Sequence, residues 1–240
     1  MSEPLQKKTV EAQIDALKKY LRYDIRYSLP RPFIIEFTGP PSSGKTTVVK
    51  EIDDYLRPLG LAKIYPPNEA PREIRHIARL EPDYNMRTAL YTLSQLLDEA
   101  HSARIDMLLI DRGPFDAYCW PEYWLNKGKI TLSEKENLQS YYTNRQFISK
   151  VDICYFLVCE AETALQRELR VAIDDSPRET TNLESMKRLE RIWRNAQVQV
   201  STLHPNVRLI DTTNMTEVQM IKIIAADLLN TLEQKTKKGL

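Results

Sequence analysis

The stretch FTGPPSSGKTTVV, which begins at Phe37, joins a short β-branched run, FIIEF, to a segment, TTVVKEIDDYL, whose apolar residues recur at helical spacing. Within it stand Gly39, four further residues, then Gly44, Lys45 and Thr46, the spacing G-x-x-x-x-G-K-[ST]. No other feature limits the fold as tightly. A glycine turn that leaves a strand and opens a helix points backbone amides into one concavity, and the helix adds the positive end of its dipole. Such a cradle suits a group with several negative charges. Gly39, Pro40, Pro41, Ser42, Ser43, Gly44, Lys45, Thr46 and Thr47 are therefore expected to surround the phosphates of a nucleotide. Lys45 would serve as a point charge on the outer phosphates and the Thr46 hydroxyl as a ligand for Mg²⁺.

The strand, turn and helix order repeats along the chain. LAKIY (61–65) precedes helical stretches to about residue 104, DMLLID (106–111) precedes two more, DICYFLV (152–158) another, and VRLID (207–211) the last. Near-continuous apolar strands separated by helices predict an α/β domain built on a parallel sheet covered on both faces. Ligands of such sheets sit at the carboxyl ends of the strands. The glycine loop, the segment after Tyr65, Asp111-Arg112, the segment after Val158 and Asp211 would meet at that edge. Ahead of this domain, Val10, Ile14, Leu17, Leu21 and Ile25 describe one apolar face of a helix. Residues 1–30 are expected to form an N-terminal helical extension that packs either on the domain at 31–240 or on a second subunit, which leaves a homodimer open.

Composition excludes more than it assigns. Lys plus Arg (34) nearly balance Asp plus Glu (33), and the net charge of +1 gives no general attraction for nucleic acid or an anionic membrane. The aromatic cluster Phe115, Tyr118, Trp120, Tyr123 and Trp124 has no basic stripe around it, so core burial is its expected use. Cys119, Cys154 and Cys159 lack zinc or disulfide spacing, and His76, His101 and His204 are scattered. With neither a secretory apolar core nor a membrane-length run, a cytoplasmic protein is expected.

MLLIDRG ends an apolar strand in a carboxylate followed at once by a guanidinium. At a strand edge facing a bound triphosphate, Asp111 could hold Mg²⁺ or accept a proton, and Arg112 could neutralise charge on a transferring phosphoryl group. The plain structural role is also open, with Asp111 capping the next helix around Gly113 and Pro114 and Arg112 solvated.

The glycine loop, this Asp-Arg-Gly, a Glu-bearing loop after the second strand and an Arg-bearing segment after the fourth resemble the thymidylate kinase and deoxynucleoside kinase branch of the P-loop kinases, over about residues 32–235. The resemblance implies a three-layer P-loop kinase fold, a five-stranded parallel sheet in the order 2-3-1-4-5, phosphoryl transfer from ATP with Mg²⁺, and an arginine lid. Here the lid would span about 167–181, with Arg167 and Arg170 as candidate catalytic arginines and Arg178 beyond them. It also implies that Lys45, Asp111 and Arg112 are catalytic, that Thr46 and Asp111 hold the metal, and that Glu69 contacts or deprotonates the acceptor. Two positions depart from the pattern: Thr38 stands where members often carry Glu, with Glu36 two residues earlier, and Gly113 stands where Ser, Tyr or His is common.

The acceptor side is legible only in outline. Glu69, Arg72 and Arg75 follow the second strand, and the arginines could hold an acceptor phosphate. In YNMRTALYTLSQLLDEA, the apolar residues Met86, Leu90, Leu93 and Leu97 share one face, while Arg87, Tyr91 and Gln95 share an adjacent one. By resemblance the second face would read a nucleobase. The expected substrate-binding set is thus Glu69, Arg72, Arg87, Tyr91, Gln95 and Arg112, and the expected partner is a nucleoside or nucleoside monophosphate. A rival class, a nucleotide-binding switch acting through its N-terminal helix, would bind ATP or GTP without acceptor-dependent turnover; N-K-x-D, the base-reading motif of a GTP switch, is missing.

Overall fold

The computed structural model describes Ala12, Asp15 and residues 32–56, 62–65, 74, 76–102, 105–171 and 182–238. Of the N-terminal extension only Ala12 and Asp15 fall among these, both helical. The face from Val10 to Ile25, the acceptor-side residues Glu69, Arg72 and Arg75, and the lid residues 172–181 with Arg178 lie outside the described residues.

The strands are β1 (Phe33–Thr38), β2 (Ala62–Tyr65), β3 (Met107–Asp111), β4 (Ile153–Val158) and β5 (Val207–Asp211). The described helices are α1 (Lys45–Leu56), α2 (Pro82–Glu99), α3 (Pro114–Asn126), α4 (Leu132–Tyr142), α5 (Arg145–Ile148), α6 (Ala161–Val171), α7 (Leu183–Val200) and α8 (Glu217–Lys238). Pairing is parallel throughout and the strand order is β2-β3-β1-β4-β5. Local chemistry sets several boundaries. Thr131 and Glu134 form a reciprocal capping box that opens α4, and the Asn182 side chain accepts from the backbone of Glu184 and Ser185 to open α7.

Strand side chains divide by parity between the two faces. Phe33, Ile35, Phe37, Met107, Leu109, Ile153, Tyr155 and Leu157 pack with Val48, Val49 and Ile52 of α1 and with Met220, Ile224, Leu228 and Leu232 of α8. Their neighbours point the other way. Cys154, Phe156 and Val158 pack on α3, α6 and α7, while Ile34, Leu108 and Ile110 pack on α2 and α3. Each large apolar side chain buried in this way contributes about 1.5–3 kcal/mol, so a sheet with two apolar faces has to be covered twice. Phe115, Tyr123 and Trp124 belong to the core, as their composition suggested, with Tyr118 and Trp120 half-buried at its margin.

The apolar face read along α2 is only partly buried. The buried residues of α2 are Ala89, Leu93 and Leu96, whereas Leu90 is 46% and Leu97 is 37% exposed. Spacing of three and four fits either of two overlapping stripes. The choice falls on the one containing Ala89, whose small side chain packs in the same cluster as Leu108, Ile110 and Ala117.

From β1 the chain crosses to the edge strand β2, returns to β3 beside β1 and then passes to β4 and β5 on the other side, so the crevice beyond the carboxyl end of β1 is the switch point. Phe37 pairs with Asp111 and Thr38 with Phe156 at that end. No helix among the described residues is long and apolar enough to cross a membrane.

Candidate active site

The loop from Gly39 to Thr46 lies directly on the carboxyl end of β1, and its two glycines answer different demands. A Cβ at Gly39 would fall 2.1 Å from the Leu157 carbonyl oxygen, so the neighbouring strand leaves no room for one. Gly44 has φ 98°, a conformation disfavoured for any residue with a side chain, and the Gly44 carbonyl accepts the first bond of α1 from Val48 N–H at 3.1 Å. Lys45 is buried, 5% exposed, and donates from Nζ to the Pro40 carbonyl at 2.9 Å. Burial, reinforced by the nearby Arg112, lowers its pKa from 10.5 to about 8, with Asp111 and Asp116 opposing. Its ammonium group is held inside a loop of backbone groups.

Asp111 meets Thr46 across the crevice. The Thr46 hydroxyl donates to Asp111 Oδ2 at a long 3.5 Å, and Asp111 Oδ1 is buried with no hydrogen-bond partner. A buried unpaired carboxylate oxygen is costly unless something else takes it up. Burial raises the pKa of Asp111, while Lys45 and Arg112 pull it back. A hydroxyl and a carboxylate oxygen side by side are hard ligands of the type Mg²⁺ takes when phosphates and waters supply the remainder. The donor set therefore fits that ion.

Arg112 is only partly solvated, and the capping role weighed for Asp111 falls to another residue. Gly113 is the N-cap of α3 and has no side chain to offer. The Glu36 carboxylate, fully buried, caps the helix instead by accepting from Gly113 N–H (2.9 Å), Asp116 N–H (2.9 Å) and Phe115 N–H (3.3 Å). A Cβ at position 113 would stand 2.7 Å from Glu36 Cδ, which explains why glycine follows the arginine. Burial pushes the Glu36 carboxyl from 4.5 up to about 8, against these donors. Arg112 itself has φ 72°, and its side chain is 30% exposed with Nη1 donating to Asp116 Oδ2 at 3.5 Å. Asp116 also accepts from the Thr38 hydroxyl and from Trp120 Nε1, each at 2.9 Å, and Thr38 in turn accepts from Trp193 Nε1 at 2.9 Å. Asp116 was missed in the sequence, although it lies one helical turn beyond Arg112 and i,i+4 spacing could have pointed to it.

Of the two arginines expected on the lid, Arg167 is already engaged. It donates from Nη1 to the Ser42 carbonyl (3.3 Å) and the Thr212 hydroxyl (3.1 Å), and from Nη2 to the Thr212 carbonyl (2.7 Å). Thr212 donates to the carbonyls of Ser43 and Val158, so one arginine and one threonine tie α6, the glycine loop, β4 and the end of β5 together. Ser42, at φ 58°, also gives its hydroxyl to Glu168. Arg170 is exposed in the last turn of α6. On α2, Arg87 is exposed and lies 5.8 Å over the Tyr91 ring, while Tyr91 and Gln95 are half-buried. The helix packs beside α3 and the end of β3, with Ala89 and Leu93 in one cluster with Ala117 and Ile110.

No family model matches the sequence, and no curated protein matches it. Solved structures do. Deoxyadenosine kinase from M. mycoides with bound dCTP superimposes at a TM-score of 0.59 and 17% identity, covering 82% of this chain and 100% of the other. The same enzyme with products dCMP and a flexible dCDP bound gives 0.57 and 20% at the same coverage. At these identities the likeness is one of fold: this chain shares the α/β fold of those deoxyadenosine kinase structures.

Proposed function

We propose that this chain transfers the γ-phosphoryl group of ATP to the hydroxyl of a nucleoside or to the phosphate of a nucleoside monophosphate. The observation that carries the reading is the meeting of Lys45, Thr46, Asp111 and Arg112 at one strand edge, with a buried carboxylate oxygen left unpaired there. Phosphoryl transfer asks little covalent chemistry of a protein; positioning and charge stabilisation do most of the work.

Thr46 and Asp111 would hold Mg²⁺, which when bound neutralises charge on the outer phosphates. Lys45 would leave the Pro40 carbonyl for those phosphates, and the N–H groups of the loop, those of Ser42 to Thr47 above all since Pro40 and Pro41 have none, would surround them. Arg112 would offset charge on the transferring group, joined by Arg167 or Arg170 if the segment from 167 to 181 acts as a lid. Glu69 would accept the acceptor's proton, Arg72 would meet an acceptor phosphate, and Arg87, Tyr91 and Gln95 would contact the base. Likeness of fold to an enzyme whose structures hold dCTP, dCMP and dCDP supports a nucleoside-type acceptor over another small alcohol.

A screen of nucleosides, nucleoside monophosphates and small alcohols with ATP and Mg²⁺ tests the reading. Formation of ADP is expected to rise with one acceptor class and to require Mg²⁺. Tight binding of ATP with no acceptor-dependent ADP would favour a nucleotide-binding switch.

A further inference from the structure

Three consecutive residues of β1, Glu36, Phe37 and Thr38, all fully buried, converge on Arg112 and its partner Asp116. The Phe37 carbonyl accepts the Arg112 N–H at 3.0 Å, which fixes the arginine from its N-terminal side. The Glu36 carboxylate takes the N–H groups of Gly113, Phe115 and Asp116, fixing it from the other. Between them Arg112 is held at φ 72°, a conformation that a side-chain-bearing residue rarely adopts and that persists only where its surroundings impose it. Asp116, whose backbone Glu36 grips, turns its carboxylate to Arg112 Nη1, and the Thr38 hydroxyl steadies that carboxylate from β1. Backbone and guanidinium are thus both referred to one buried strand.

We infer that Glu36 is a positioning residue for Arg112, acting through the start of α3 to aim the guanidinium at the phosphate cradle, with Asp116 as its agent at the side-chain end. This deepens the proposed phosphotransferase reading and rests on it. Glu36 is 0% exposed and cannot touch substrate, so its whole effect must pass through the residues it holds. Helix N-terminal amides need an acceptor, and α3 has none of its own. A carboxylate from the strand that carries the glycine loop meets that need while tying the arginine's turn to the loop itself.

The test compares wild type, Glu36→Gln, Arg112→Lys and the double variant, measuring acceptor-dependent ADP formation and the KM for ATP. Glu36→Gln keeps the volume but places an amide NH₂ against backbone donors. It is expected to lower kcat by about 10²-fold, the scale of an ångström of misplacement, and to leave the KM for ATP within about twofold. The double variant should turn over no more slowly than Arg112→Lys alone, because the aim of an absent guanidinium has nothing left to lose. Wild-type kcat in Glu36→Gln would overturn the inference, and so would losses that multiply in the double variant, the mark of a general structural role. Should Glu36→Gln fail to fold, Gly113→Ala presses on the same carboxylate from α3 and is expected to show the same split between kcat and KM; unchanged kcat there would refute the role.

Wild type that forms no ADP with any acceptor would sink the proposed function rather than the positioning. The guanidinium Nε–H signal of Arg112, identified by its loss in Arg112→Lys, then decides. A shifted or broadened signal in Glu36→Gln supports the inference, and an unmoved one overturns it.

Discussion

Thr46 Oγ1 stands 3.5 Å from Asp111 Oδ2, so the first residues of α1 and the last residue of β3, far apart in sequence, share one pair of oxygens. Register makes this meeting unavoidable. Asp111 pairs with Phe37, and the loop that ends in Thr46 starts two residues after Phe37.

The first prediction concerns the carboxylate in that pair. Asp111→Asn keeps shape and removes charge, leaving a metal-bound triphosphate without its protein counter-ion. The kcat is expected to fall by about 10²–10³-fold, the scale of losing one preorganised electrostatic contact, with the melting temperature preserved. Steady-state kinetics beside thermal unfolding will show whether the two separate. A full-rate variant would reduce Asp111 to a structural residue.

Lys45→Ala removes the only side chain that reaches into the loop to the Pro40 carbonyl among the described residues. Phosphorylation is expected to be abolished while the fold survives, because α1 begins on backbone bonds from Gly44 that do not involve the ammonium. Circular dichroism and calorimetric titration with ATP check the two halves separately.

Much of this site could be read from the sequence, and the reasons are local. The glycine loop, Lys45, Thr46 and the Asp-Arg pair lie at strand ends whose apolar runs are continuous, so their placement needed only periodicity and the rule that ligands sit at carboxyl edges. The role of Glu36 was not legible because its meaning is a contact across more than seventy residues, set by strand register. The bonds of Arg167 to Ser42 and Thr212 were not legible either, because they depend on the close passage of the Thr212 segment. Which apolar residues of α2 are buried was not legible, because two stripes matched and packing around Ala89 chose between them.

The bonds of Arg167 carry the third prediction. Arg167→Ala frees the Ser42 carbonyl and the Thr212 turn, so the loop is held less firmly before ATP arrives. The Kd for ATP is expected to rise about tenfold, about 1.4 kcal/mol, with a smaller change in the acceptor KM. A lid role would show the reverse, a fall in kcat with ATP affinity nearly unchanged.

Glu36 makes stability depend on pH. Its folded pKa of about 8 lies above the ordinary 4.5, so the stability it contributes is complete below about pH 4.5 and is lost as pH rises through about 8. Urea denaturation midpoints are expected to decline over that window, and Glu36→Gln to flatten the decline. An identical slope in the variant would assign the titration to another group.

The most direct measurement follows the γ-phosphate itself. ATP labelled in that position is incubated with Mg²⁺, the wild-type chain and each nucleoside or nucleoside monophosphate, and the label is traced by chromatography. Transfer of label to one acceptor class, absent with Lys45→Ala, is the expected result. Label that stays in ATP, or appears only as inorganic phosphate whichever acceptor is present, would contradict phosphoryl transfer as the function.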